Sequence, residues 1–268
     1  MPTGSQIVAT EEGQAVDPTL SMPTLSSEAR RAMETRRFER CFLGDWCGLT
    51  FLHFEVKASH LAEVIPVPLD LHEGRAFVSL VAFTMRRFRP ARGGRLTSWL
   101  TAPLATQRFL NLRTYVRGPL GPGIFFMREW LDHPLAVRLG PPTFGLPYRK
   151  GRISYQNDNT AISGEVTASG RKGIFHGSAT GDPRTAAEGS LDEFLQERYL
   201  AYTGAGLRPL AFRVWHEPWR CHRLALSEMT LDSFLHSLDE TWTGNLRFAG
   251  AAHSEGVTDV WMGRPHRA

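Results

Sequence analysis

Lysine is the scarcest charged residue in this chain. Of 31 basic side chains among 268 residues only Lys57, Lys150 and Lys172 are lysines, and the other 28 are arginines. A buried lysine can lose its proton and act as a nucleophile, whereas an arginine stays charged. Amine chemistry is therefore confined to three positions. Cysteine is as sparse: Cys41, Cys47 and Cys221 are odd in number and form no C-x-x-C pair, which excludes a disulfide framework and zinc-ribbon spacing. No stretch approaches 18 consecutive apolar residues, so no membrane span is expected. The segment Met1–Ser27 lacks the basic-then-apolar order of a secretory signal. A reducing cytoplasm is the expected location.

Cofactor and metal motifs are missing too. There is no G-x-G-x-x-G, no Walker-type phosphate loop and no H-E-x-x-H. The nearest approach to a nucleophile elbow, Gly177-Ser178-Ala179-Thr180-Gly181, puts serine second rather than third. None of the ten histidines stands four residues from another. No cofactor and no metal are expected. A formal charge of +4 over 268 residues is too dilute to argue for a nucleic-acid partner. The densest basic run, 86–95, carries five arginines around Phe88. It reads as a solvated loop between strands, or as a phosphate-binding hairpin.

What is present is strand signal. Residues 1–25 are rich in Thr, Ser, Gly and Pro and read as a disordered tail; 26–268 reads as one domain. SSEARRAMETRRFER (26–40) looks like a solvated helix with i,i+3 Glu–Arg pairs. Strands are expected at 49–56, 75–85, 109–116, 123–127, 149–157, 160–168, 171–179, 210–217, 221–229 and 256–263, from β-branched and aromatic enrichment and turn signals between them. RAFVSLVAFTM (75–85) is apolar on both faces and should be central and doubly covered. SLDEFLQERYLAY (190–202) reads as the best helix, with Ser190 and Glu193 as a capping box. The pattern is α+β, mainly antiparallel β, in a large sheet or barrel.

Several side chains sit uneasily on a solvated surface. In the 190–202 helix Arg198 falls about 20° from Leu191, within the apolar stripe. It is either stapled to a buried carboxylate or an anion clamp, since an unpaired buried guanidinium is costly. Asn111, Arg113 and Tyr115 share one face of a strand; that face is solvent, or it lines a lumen with fixed donors. His216 alternates with Phe212 and Val214, as a core histidine or as a general base. His53 has the same two readings.

The order of several segments resembles a known family. They are Trp46 with Phe51-Leu-His53; Val64-Ile-Pro66 with Leu69-Asp70-Leu71; Gly74 to Val81; Asn111-Leu-Arg113-Thr-Tyr115-Val116; Gly123-Ile-Phe-Phe126; Leu146-Pro147-Tyr148-Arg149; Ser190 to Tyr199, with Glu197-Arg198-Tyr199; and His216-Glu217-Pro218-Trp219. Over about 40–265 the chain resembles the bacterial family of domain of unknown function 2071, in the acetoacetate-decarboxylase-like superfamily. Where that family carries an acidic residue shortly before the Asn, this chain has Arg108-Phe109-Leu110. The resemblance implies an acetoacetate-decarboxylase-like closed β-barrel with peripheral helices and an internal cavity. The superfamily's decarboxylases use a Schiff-base lysine in Gly-x-Pro-Lys-Lys; here Gly145-Leu146-Pro147-Tyr148-Arg149-Lys150 puts Tyr148 at the nucleophile position. Lys150, two residues on, would share the Tyr148 face of a strand.

The reading is a pocket for a small organic acid or carbonyl compound, in a metal-free lyase- or isomerase-type enzyme without a Schiff-base lysine. A non-catalytic binding or sensing module is the other reading. His216, Glu197 and Tyr148 are the candidate catalytic residues. Asn111, Arg113, Tyr115, Arg198 and Trp219 are the candidate substrate contacts. No membrane or nucleic-acid partner is expected.

Overall fold

Strand β1 (Arg40–Val56) is 17 residues long, and bulges at Arg40/Phe42, Gly44/Trp46 and His53/Phe54 interrupt its pairing. A computed structural model of the chain describes residues 39–93, 97–158, 160–204, 209–231, 234–235 and 240–268. The expected tail 1–25 lies outside the described residues, as does the expected helix 26–40 except at its last two residues. After β1 come α1 (Ala58–Val64), β2 (Ala76–Pro90), a 3-10 helix (Ser98–Leu104), β3 (Gln107–Gly118) and β4 (Gly121–Leu131). They are followed by α2 (Pro134–Phe144), β5 (Tyr148–Lys150), β6 (Arg152–Asp158), β7 (Ala161–Ala168) and β8 (Arg171–Arg184). The chain ends with α3 (Leu191–Gln196), β9 (Leu200–Thr203), β10 (Leu210–Trp215), β11 (Cys221–Thr230), α4 (Glu240–Thr243), β12 (Arg247–Gly263) and β13 (His266–Arg267). The fold is mostly β with few helices.

The strands join one mostly antiparallel sheet in the order β13-β10-β9-β4-β3-β2-β1-β12-β11-β8-β7-β6, with β5 beside β4. β10 pairs β12 as well as β9, through Val214–Met262 and Trp215–Trp261. It therefore hydrogen-bonds both ends of the run β9-β4-β3-β2-β1-β12. The central strands are covered on both faces, as the apolar pattern of β2 requires. Leu52, Leu80 and Leu112 on one face pack with Ile162, Val166 and Phe175 of the β6–β8 extension. Phe51, Val81 and Phe109 face the other way and pack around Trp219 and Leu131.

Two expectations need correction. The helix expected over 190–202 ends at Gln196, and Leu200–Thr203 form β9 instead. There the backbone pairs antiparallel with β10 and parallel with β4. Those inter-strand bonds, with all four side chains buried, override the local helical pattern. Gly123 permits the close approach, since a Cβ there would stand 2.4 Å from the Leu200 carbonyl oxygen. The cap is as expected at the serine: Ser190 Oγ accepts from the Glu193 N–H at 3.2 Å, while the Glu193 carboxylate reaches the N–H of Gly189 at 2.7 Å. In the 86–95 run, β2 continues to Pro90, so its first half is strand rather than loop. Arg87 pairs with Asp45 and Arg89 with Asp259. The stretch 94–96 lies outside the described residues. α2 was not legible as a helix because it contains Pro141 and Pro142; Gly145, left-handed at φ 65°, ends it.

Candidate functional site

A chamber of about 320 Å³ lies beside β3, β4 and β5, roofed by α2 and the 3-10 helix. Its wall is largely aromatic. Phe83 stacks on Phe109 at 5.0 Å between ring centres and on Trp46 at 4.7 Å, and Tyr148 meets Phe109 edge-on at 6.1 Å. Among this apolar surface stand Gln107, Asn111, Glu129 and Tyr148. The last three are neighbours across the sheet: Asn111 is paired with Glu129, and Glu129 with Tyr148. Glu129 is 3% exposed and its Oε2 has no hydrogen-bond partner. Burial pushes its carboxyl well above the usual carboxylate range. Burial, and then the Glu129 charge, push the Tyr148 hydroxyl up as well.

Behind the chamber is a recess of about 20 Å³, the room of about one water. Chamber and recess share Trp46, Asn111, Phe126 and Val214 as wall residues. Arg113, Arg198, His216 and Trp219 line the recess. Arg113 is buried; its Nη2 donates to the Leu195 carbonyl at 3.0 Å, and its Nε has no partner. Among the described residues no carboxylate pairs with it. Arg198 donates from Nε to the Phe194 carbonyl at 2.7 Å and from Nη1 to Asp70 Oδ2 at 2.8 Å, while its Nη2 is unpartnered. Both guanidinium groups thus satisfy carbonyls left over at the end of α3. The guanidinium of Arg198 also lies 4.1 Å from the Phe194 ring centre.

The remaining candidates have defined partners. The Tyr115 hydroxyl donates to the Leu195 carbonyl at 2.8 Å and lies 2.6 Å from Ser79 Oγ, which is 2.7 Å from His53 Nδ1. Tyr115 and His53 line neither cavity. His216 is sandwiched between Tyr199 and Trp219, at 4.6 and 4.3 Å, and its Nδ1 lies 2.8 Å from the Glu217 carbonyl. A carbonyl only accepts, so Nδ1 carries a hydrogen. Glu197 accepts from the Tyr199 hydroxyl at 2.5 Å and from the Trp219 N–H at 2.8 Å, and it lines neither cavity. These bonds tie the Glu-Arg-Tyr and His-Glu-Pro-Trp segments together.

The structure thus brings Asn111 and Tyr148 to the chamber and Asn111, Arg113, Arg198, His216 and Trp219 to the recess. Lys150 is exposed and lines neither cavity, so it does not share the Tyr148 surroundings. Lys57 and Lys172 are exposed as well. Glu129 and Gln107 carry no sequence signal of a site, and Asp70 stands in the sequence only as part of a family segment. The one local mark of Glu129 is an acid between the apolar stretches Ile124–Met127 and Trp130–Leu131, and Arg128 beside it makes it read as a solvated pair of charges. It stands opposite Asn111, so an acidic group does adjoin that asparagine, but from the neighbouring strand.

Residues 44–241 match the family of domain of unknown function 2071, described as an uncharacterized conserved protein. The chain belongs to this family. A relative, uncharacterized protein YqjF of Bacillus subtilis (strain 168), is 30% identical over 181 residues, covering 65% of this chain and 72% of the relative. Among solved structures, acetoacetate decarboxylase from Legionella pneumophila superposes with a TM-score of 0.61 at 12% identity, covering 98% of both chains. The enduracididine biosynthesis enzyme MppR, complexed with pyruvate, gives 0.59 at 12% identity, covering 87% of this chain and 93% of that one. The fold of this chain is therefore acetoacetate-decarboxylase-like. No helix among the described residues is long and apolar enough to cross a membrane.

Proposed function

We propose that this family member is a cytoplasmic, closed-barrel protein that takes a small organic acid or carbonyl compound into the chamber, with any carboxylate directed to Arg113. The chemistry is proton transfer of the lyase or isomerase type, with no Schiff-base lysine. The pairing of β10 with both β9 and β12 supports the closed barrel. A volume of about 320 Å³ falls at the lower end of ordinary small-molecule sites. The observation that carries the reading is Arg113. A buried guanidinium with no carboxylate partner among the described residues and an unsatisfied Nε is costly unless an anion completes it. Asn111, shared by chamber and recess, puts this cation next to the apolar volume. Pyruvate in MppR is an acid of the expected kind.

Phenylpyruvate is the probe, because it joins a carboxylate and a carbonyl to an aromatic body. Arg113→Gln is expected to weaken its binding by roughly tenfold to a hundredfold, the worth of a hydrogen bond to a charged group, with the circular dichroism unchanged. Unchanged affinity would sink the anchor. Borohydride reduction with bound phenylpyruvate should leave the protein mass unaltered; a lysine adduct overturns the lysine-free chemistry. A binding or sensing role is the second reading, favoured by the mostly apolar chamber wall; it predicts binding without turnover.

A further inference from the structure

Glu129 contributes an ionisable group to a wall that offers it no counter-charge. Residues of β1, β2, the 3-10 helix, α2, β10 and β12 line the chamber with Phe42, Met85, Leu104, Phe144, Phe212 and Met262, among others, and none of the residues they contribute titrates. From β3 come Gln107, Phe109 and Asn111, and from β5 Tyr148, the one other titratable group lining the chamber among the described residues. The nearby cation Arg113 lies in the recess and spends one N–H on the Leu195 carbonyl. A carboxylate here would be buried and unpaired, a state that proteins avoid by keeping the proton. Among the described residues that proton has no acceptor within hydrogen-bond distance: Glu129 is not bonded to Asn111 or Gln107, whose own side-chain oxygens are likewise unpartnered. The Tyr148 hydroxyl likewise makes no hydrogen bond to the described residues.

We infer that Glu129 meets the ligand as an uncharged carboxylic acid, and that it and the Tyr148 hydroxyl donate hydrogen bonds to a ligand carbonyl oxygen. This deepens the proposed function and rests on the chamber being the ligand site, but not on Arg113. It assigns the ligand class: a ketone or aldehyde on an apolar, aromatic-sized body. Register supports it, since Glu129 and Tyr148 are direct neighbours on β4 and β5. The raised proton affinity of Glu129, which burial alone causes, agrees with it. Two neutral donors on one carbonyl oxygen also stabilise negative charge that develops there.

The test uses an uncharged ketone, 4-phenyl-2-butanone, against butylbenzene, which has the same shape without the oxygen. Wild-type protein is expected to bind the ketone about tenfold more tightly than the hydrocarbon, the worth of one to two hydrogen bonds. Tyr148→Phe and Glu129→Leu should each erase most of that preference, and Glu129→Gln, whose amide still donates, should keep part of it. Infrared spectra at neutral pH should show a protonated-carboxyl band in the wild type that Glu129→Gln removes. Equal affinity for ketone and hydrocarbon in the wild type, or no such band, overturns the inference. Because neither probe carries a carboxylate, the outcome is separate from the fate of the Arg113 anchor.

Discussion

Phe126 and Glu129 line the same chamber although three positions separate them in β4. Strand alternation would send residues an odd number apart to opposite faces. The register explains the exception: Arg113 pairs with Phe126 but Leu112 pairs with Arg128, so β4 carries one extra residue, Met127. This bulge reverses the parity beyond it and turns Glu129 inward beside Asn111.

The burial of Glu129 has a consequence for stability with a definite sign. Its folded carboxyl holds a proton more tightly than the unfolded one. The contribution of Glu129 to stability is therefore full at low pH and is lost as pH rises from the unfolded carboxylate range through the higher folded value. Glu129→Gln should be more stable than the wild type at neutral pH, with the difference vanishing below about pH 4. Urea denaturation of both proteins across that range checks it; a variant less stable at neutral pH would refute it.

Asp70 binds two arginines of very different exposure. Arg198 pairs with it at 2.8 Å with a side chain 2% exposed, and Arg117 at 3.0 Å with one 56% exposed. Asp70→Asn should cost about 3–5 kcal/mol, because it strands a buried guanidinium. Arg117→Ala should cost about 0–1 kcal/mol, the worth of a solvated pair. Thermal and chemical denaturation of the two variants separate these values, and similar losses would contradict the assignment.

His53 is buried against Ser79, and burial, followed by the Arg113 charge, lowers its pKa to about 3. His253, against Thr50, is lowered to about 4, again chiefly by burial. The unfolded chain takes up these protons first as pH falls. The contribution of these two histidines to stability is thus full above about pH 6.5 and declines below it, by at most ~1.4 kcal/mol per pH unit for each. His53→Gln should flatten the slope between about pH 6.5 and about pH 4, visible in denaturation midpoints. An unchanged slope would show that His53 takes up its proton alike in the folded and unfolded chain.

Local pattern alone was enough for much of the sheet. Alternation and turn residues located β2, β3, β7, β8, β10 and β11, and the two apolar faces of β2 announced its central place, because strand period and burial are properties of neighbours in sequence. The count of three lysines likewise narrowed any imine chemistry to three positions without any coordinates. Tertiary structure decided the rest. β9 is a strand because β4 and β10 offer it hydrogen bonds that the helical stripe of 190–202 could not anticipate. Arg198 meets its carboxylate across 128 positions, a separation that no local period encodes. Glu129 reached the chamber through one bulged residue, and a single insertion in register inverts every side chain that follows it.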